Sequence, residues 1–340
     1  MANGRSVLLV GSVPLESSSV VFKAVADTLG ELVKRIPDGE TGVRKDWIAW
    51  QVDVFARTPG LEQGGTRPLQ GGYLFQLYKL GSGGRGEVSF PPLGYAEHAL
   101  ASYREFASLR ESGRIPPETR FQVSLPTPLA VVLSFCEPSS IAQIWPKYEE
   151  ALVREVEEIL NAIPHEDLAI QWDIAAEIVF ILEDPEMAQR FPMPVLADAI
   201  ARISSRVPDD VELGLHLCYG DPGHKHVIEP KDTALMVQFA NALIPAIGRP
   251  LAWIHMPVPR DRDDAEYFAP LRDLHPPQGT ELYLGLVHLT DGVAGAKRRL
   301  DAARAVVSDF GVATECGFGR RPPDTIPDLL ALHREVAYLV

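Results

Sequence analysis

The amino-acid sequence predicts an α/β fold, and within that class a single-domain (β/α)8 TIM barrel. Three observations carry the prediction. Short apolar, β-rich runs alternate with segments of helical period as far as the C-terminus, which implies a parallel sheet with helical crossovers. The count of β/α units reaches eight, the number that closes a barrel. The first run is followed by Gly11-Ser12-Val13-Pro14-Leu15-Glu16 and not by a Gly-x-Gly-x-x-Gly turn, which weighs against an open, dinucleotide-binding sheet.

Taken in order, the predicted strands are residues 6–10, 120–124, 168–173, 211–217, 251–255, 282–288 and 312–314, each apolar and bounded by turn residues. The remaining strand is either 35–37 or a run within 73–78. Helical periodicity covers 139–162, 185–205, 230–247, 262–274, 292–309 and 326–339. Residues 58–92 are the least regular stretch, a Gly-rich insertion after the first β/α units that includes Gly81, Gly83, Gly84 and Gly86. It reads either as a decorated surface loop or as a lid over the barrel mouth. No repeat or low-complexity tract interrupts 1–340, which is read as one barrel domain.

With 340 residues, 46% of them hydrophobic and 23% charged, the chain can bury a large core. A net charge of -14 argues against nucleic acid or an anionic membrane as partner. No apolar run is long enough for a signal peptide or a span, so a cytoplasmic protein acting on a small molecule is expected, with a homo-oligomer left open. Three cysteines, Cys136, Cys218 and Cys316, are read as thiols, either buried or ligating.

In a β/α barrel the active site forms at the carboxyl ends of the strands, and the polar residues of this sequence collect there. Leu213-Gly-Leu-His216-Leu-Cys218 sends two soft metal ligands out of one face of a strand at its end, and Thr314-Glu315-Cys316-Gly317 follows the last strand. His216, Cys218 and Cys316 would supply three zinc ligands, with His255 a fourth ligand or a base behind them. The alternative is that both cysteines are small buried hydrophobes. His224 and His226 form a His-x-His pair that competes for the metal, while Cys136 sits in an apolar context and reads as structural.

Asp173 ends an apolar strand, where a desolvated carboxylate holds an ammonium or acts as a base; Glu177 competes for either role. Ile36-Pro-Asp38-Gly-Glu40-Thr-Gly-Val-Arg44 packs charges into a tight loop, read either as a turn or as substrate-binding, and Trp47 and Trp50 follow it. His255 and His288 each end a strand and are candidates for proton transfer.

At these residues the chain resembles the catalytic barrel of cobalamin-independent methionine synthase, within the superfamily shared with uroporphyrinogen decarboxylase. Gly11-Ser12-x-Pro14 resembles the family's Gly-Ser-Phe-Pro, and Ser124-Leu-Pro-Thr-Pro128 stands for its Thr-Gly-Pro-Val-Thr turn. Gln171-Trp-Asp173 resembles Gln-Ile-Asp, His216-Leu-Cys218-Tyr219 resembles the zinc-binding His-Met-Cys-Tyr, and Glu315-Cys316-Gly317 resembles Asp-Cys-Gly. The resemblance implies a zinc-activated thiolate that takes a methyl group from a reduced folate or from methylcobalamin, the latter carried by a corrinoid protein. It also implies that Asp173 holds the amino group of a homocysteine-like acceptor, that Ser12 holds its carboxylate, and that His288 handles protons. Ser124, Glu177 and Tyr219 join Asp38, Glu40 and Arg44 as expected substrate contacts.

Two departures stand out. The family's zinc-ligating Glu falls at Ile254-His255-Met-Pro, and its Asp-Glu-Pro is here Asp173-Ile-Ala-Ala-Glu177. The chain resembles the short, single-barrel members. The competing expectation is the same barrel turned to a lyase, decarboxylase or hydrolase reaction on a carboxylated or aromatic metabolite, worked by Asp, Glu and His side chains; a non-catalytic binding protein is the third.

Overall fold

The computed structural model describes residues 6–68, 72, 74–81, 88–221 and 226–340. Its strands are β1 (Arg35–Pro37), β2 (Leu61–Pro68), β3 (Leu74–Leu80), β4 (Arg120–Pro126), β5 (Leu168–Ile174), β6 (Glu212–Leu217), β7 (Trp253–Pro257), β8 (Glu281–Gly285) and β9 (Gly311–Val312). All but β2 and β3 form one parallel sheet in the order β1-β4-β5-β6-β7-β8-β9. Each strand lies beside its successor with no reversal of order, so the sheet curls in one sense as a TIM-like barrel does.

The expected strand at residues 6–10 makes a single parallel bridge, Val7 to Val312. Leu8 N–H donates to Val312 O (3.0 Å) and Val7 N–H to Leu32 O (2.8 Å), so the segment runs between the two edges of the sheet. Of the two alternatives for the remaining strand, 35–37 joins the sheet. Residues 74–80 instead pair antiparallel with β2, so the segment 58–92, expected to be irregular, holds a β-ribbon. Residues 82–87, with most of its glycine cluster, lie outside the described residues.

The crossovers are α1 (Ser18–Leu29), α2 (Val52–Arg57), α3 (Tyr95–Glu111), α4 (Pro128–Phe135), α5 (Ile141–Ala162), α6 (Pro185–Arg190), α7 (Met193–Ser204), α8 (Ala234–Ile247), α9 (Ala265–Phe268), α10 (Gly292–Arg304) and α11 (Ile326–Ala337). α1 starts at Ser17, whose hydroxyl accepts from Val20 N–H, and buries Val21, Phe22, Val25, Ala26 and Leu29 on one face. α3 starts at Gly94, which has no side chain to cap it. Glu155 of α5 takes the task, accepting from the N–H groups of Leu93 (2.6 Å), Gly94 (3.3 Å) and Ala96 (2.7 Å).

Strand periodicity arranges the barrel interior in layers. At the amino ends Arg35 bonds Glu212 (3.0 Å) and Glu281 (3.1 Å) and lies over the Trp253 ring. Above it Leu8, Ala169, Trp253, Tyr283 and Ala313 form a small apolar cluster. Gly214 makes room for it, because a Cβ there would fall 1.9 Å from the Trp253 ring. Next comes Gln171, which donates to Val10 O (2.6 Å) and accepts from Trp253 Nε1 (3.2 Å). The top layer is set by register, with Asp173 opposite His216 and His216 opposite His255. The bottom is plugged and the top is open.

Candidate metal centre

His216 leaves β6 on its inward face, and Cys218, two residues on, continues that face past the strand end. Cys316 arrives from the turn after β9. That turn crosses close over the end of β8, where a Cβ on Gly285 would lie 2.9 Å from Glu315 Cα, so only glycine permits the approach. The ligand atoms of His216, Cys218 and Cys316 all lie within 4.8 Å of one another.

Cys316 is held well below the usual thiol range by the hydrogen bond from Cys218, against its burial and with further help from His216 and Arg320; Cys218 is pushed correspondingly up. Arg320 lies with Nη2 3.6 Å from Cys316 Sγ and 3.0 Å from Asp221 Oδ2, a cation fixed beside the sulfur.

His255, expected as a fourth ligand or a base, has both ring nitrogens engaged elsewhere. Its Nε2 lies 3.0 Å from Thr314 O, which can only accept, so that nitrogen carries the proton. Its Nδ1 then accepts from His216 Nδ1, 2.7 Å away, and His216 is left with its Nε2 lone pair for a metal. Burial, with His216 beside it, pushes the His255 pKa well down and keeps the ring neutral. Its place is behind the ligand set.

The three donors open on a cavity of about 130 Å3. Ser12, Glu40 and Asp173 line it as well, together with Trp47, Phe75, Val179, Phe180 and Arg320. Burial and the neighbouring Glu40 push Asp173 well above the carboxylate range; burial lifts Glu40 to about 8, with Arg44 opposing and Asp38 and Cys316 adding. Among the described residues Glu40 and Trp47 are the non-glycine residues with positive φ (46° and 54°), and both face this cavity. The five-residue π-turn Ile178–Leu182 brings Val179 and Phe180 to its wall.

Other expected contacts lie elsewhere. Asp38 is saturated by Arg44 (2.7 Å), Ser102 (2.9 Å) and Glu40 N–H (2.8 Å), so Asp38 and Arg44 brace the loop that presents Glu40. Ser124 donates to Val10 O (3.0 Å) beneath the floor, and the Tyr219 hydroxyl points to Asp232 O (3.5 Å). Glu177 is buried against the Thr127 hydroxyl with its second oxygen unpaired. The Ser12 hydroxyl faces the cavity and accepts from Gly319 N–H (3.2 Å), tying the last loop to the first.

His288 also misses the cavity. β8 stops at Gly285 and the chain turns, so His288 Nε2 donates to Val258 O (2.9 Å) while its Nδ1 lies 3.4 Å from Glu315 Oε2. His226 Nε2 stands 2.7 Å from the other Glu315 oxygen. Burial presses the His226 pKa down, but Glu315 and Glu229 more than offset it and lift it to about 9. His224 lies outside the described residues. Trp47, Phe75, Val179, Phe180 and Arg320 are among the cavity residues that sequence reasoning did not select; of these only Trp47, placed after the charged loop, carried a signal.

No protein-family model matches the chain, and no curated protein sequence matches it. Solved structures do. A B12-independent methionine synthase from Shewanella sp. W3-18-1, in complex with selenomethionine, matches with a TM-score of 0.63 at 15% identity over 98% of this chain and 97% of that one. The candidate vitamin-B12-independent methionine synthase of Listeria monocytogenes matches with a TM-score of 0.57 at 16% identity, over 94% and 86%. The likeness is one of fold, a TIM-like α/β barrel. No helix among the described residues is long and apolar enough to cross a membrane.

Proposed function

We propose that the chain is a zinc-dependent, methionine-synthase-like methyltransferase that moves a methyl group onto the sulfur of a thiol substrate. The convergence of one imidazole and two thiols at the wall of a single cavity carries this reading. Thiolate with imidazole is a donor set that suits zinc, and three protein ligands leave a position for substrate. His216 Nε2, Cys218 Sγ and Cys316 Sγ would hold the ion, and bound there it would keep a substrate thiol ionised at neutral pH.

The rest of the chemistry falls to the chain's own side chains. His255 fixes the His216 tautomer, and Arg320 balances charge beside Cys316. Asp173 and Glu40 stand where they would take the ammonium of an acceptor. The apolar wall, with Phe75 reaching in from the β2–β3 ribbon, would keep water from the thiolate, the role of a lid. The methyl donor, a reduced folate or methylcobalamin on a corrinoid protein, would enter through the outer chamber, which shares Asp46 and Arg320 with the inner one. In this reading residues 6–10 are the eighth stave of a single, cytoplasmic barrel.

A second reading is favoured by the acid pair Glu40 and Asp173 and by the His226–Glu315–His288 group: the same barrel as a lyase, decarboxylase or hydrolase. Metal analysis separates the two. The methyltransferase reading expects about one zinc per chain, lost in Cys316→Ala and His216→Ala. It also expects methyl transfer to homocysteine or a related thiol from a methylated folate or methylcobalamin. An active protein that stays metal-free refutes it and leaves the acid–base reading.

A further inference from the structure

We infer that the β2–β3 ribbon sets the specificity of the cavity for small acceptors: Phe75 is the residue that limits their size, and Arg67, paired with it across the ribbon, is the positioning residue that holds it there. This rests on the reading of the cavity as the acceptor site and narrows what that site admits.

The first argument is the make-up of the wall. At about 130 Å3 the cavity falls well below the roughly 300–1,000 Å3 of pockets that enclose drug-sized ligands, so a single ring decides what enters. Ser134, Ala175 and Ala176 are small, and the bulk of the lining comes from Trp47, Phe75 and Phe180. Trp47 and Phe180 belong to loops of the barrel. Phe75 comes from a ribbon that takes no part in the parallel sheet.

The second argument is how Phe75 is held. The register of the ribbon shifts between Gln63 and Thr66, and beyond the shift Arg67 stands opposite Phe75 and Pro68 opposite Leu74. Opposed residues share a face, so Arg67 and Phe75 turn to the cavity side together while Leu74, 64% exposed, faces solvent. Gly64 and Gly65 occupy the shift. Gly65 N–H donates to Glu137 Oε1 (2.9 Å), and a Cβ on Gly64 would lie 2.2 Å from that oxygen.

Arg67 donates to Leu133 O in the last turn of α4 and lies 5.7 Å from the centroid of the Phe180 ring, while Phe75 packs on Phe135 with centroids 5.0 Å apart. The ribbon is thereby tied to two other elements of the cavity wall, α4 and the π-turn. Among the described residues no carboxylate pairs with Arg67, and burial pulls its pKa down. A half-buried guanidinium held only by a carbonyl and a ring is a costly fastening for a surface ribbon. What it secures is the ring of Phe75 in the cavity.

Cys316, on the cavity wall, serves as the reporter. The full-length chain, freed of any metal by chelation, is treated with iodoacetamide or N-benzyliodoacetamide, and alkylation of Cys316 is followed by peptide mass spectrometry relative to glutathione. Wild type should favour the small reagent by at least about tenfold, Phe75→Ala should bring the ratio within about twofold of that of glutathione, and Arg67→Ala should lower it at least about threefold. Leu74→Ala, on the other face of the same ribbon, should leave the ratio unchanged, and Arg67→Lys, still able to donate to Leu133 O, should recover part of it. Cys136, fully buried and bridged to Tyr78 of β3, stays unalkylated in a folded variant. Should an alanine variant expose it, Phe75→Leu and Arg67→Lys give the same test at smaller amplitude. A wild type without size preference, Phe75 or Arg67 variants that keep it in full, or a Leu74→Ala that loses it as Arg67→Ala does overturns the inference. Neither zinc nor a methyl donor enters this measurement, so its failure and that of the zinc reading are separate results.

Discussion

Glu177 offers the sharpest test of the electrostatics. It is 1% exposed, its Oε1 takes the Thr127 hydroxyl, and its Oε2 has no partner. Burial, partly opposed by the Thr127 bond, lifts its pKa from 4.5 to about 7. A carboxyl whose folded pKa lies above its unfolded one stabilises the fold fully below the unfolded value. That contribution drains away as pH rises to the folded value, because the unfolded chain then binds fewer protons than the native one. The window here is pH 4.5 to about 7, and the loss by pH 8 amounts to about 3 kcal/mol. Glu177→Gln copies the neutral carboxyl and cannot ionise. Urea unfolding from pH 4 to 8.5 should give nearly equal stabilities for variant and wild type at pH 4 and a variant ahead by up to about 3 kcal/mol at pH 8. Glu40, lifted to about 8, adds to the slope of both proteins and cancels in the difference. Parallel curves, or a variant less stable at pH 8, would refute the reasoning.

Removing the remote cap on α3 should be costly. Glu155→Ala orphans the N–H groups of Leu93, Gly94 and Ala96 in a buried place and should destabilise by about 2–4 kcal/mol in denaturant unfolding, with Glu155→Gln recovering part of it. His255→Ala should leave the fold intact but free the His216 ring, lowering zinc affinity by about 10–100-fold in competitive chelation; unchanged affinity would show that the His216–His255 contact does not orient the ligand.

The barrel was legible because its cause is periodic. Burial on both faces makes β5 and β7 continuous apolar runs, and a side-chain period of two carries Gln171 to Asp173 and Gly214 to His216 to Cys218 up one face without reference to anything distant. His255 sits on that ladder too, so its height in the barrel could be read. Its task could not, since that depends on Thr314 O lying 3.0 Å away, from a strand end 59 residues on. A strand within 73–78 was one of two alternatives, but its partner β2 escaped notice because the polar, glycine-containing stretch Leu61–Pro68 shows no alternation of exposed and buried positions.

The loop residues follow another logic. Asp38, Glu40 and Arg44 look alike in sequence, three charges in one turn, yet only Glu40 reaches the cavity, because Asp38 spends its oxygens on Arg44, Ser102 and the Glu40 N–H. That bonding holds Glu40 in left-handed backbone, which turns its carboxyl toward Gly11 and the cavity. Arg320 gave no sign at all, since its role comes from Asp221, some hundred residues earlier in the chain and 3.0 Å away. Register therefore places His216 and Cys218, and long-range bonding places Glu40 and Arg320 at the same cavity. Where the chain departs from the methionine synthase pattern, at His255, the departure sits within the first of these systems. Under the proposed reading, a neutral ring there, in place of a carboxylate, would leave one negative charge fewer beside His216, Cys218 and Cys316, with Arg320 as the nearby cation. The ligand charge that would keep a bound substrate thiolate electron-rich would then come from Cys218 and Cys316 alone, which makes the zinc stoichiometry of Cys316→Ala the measurement on which that reading turns.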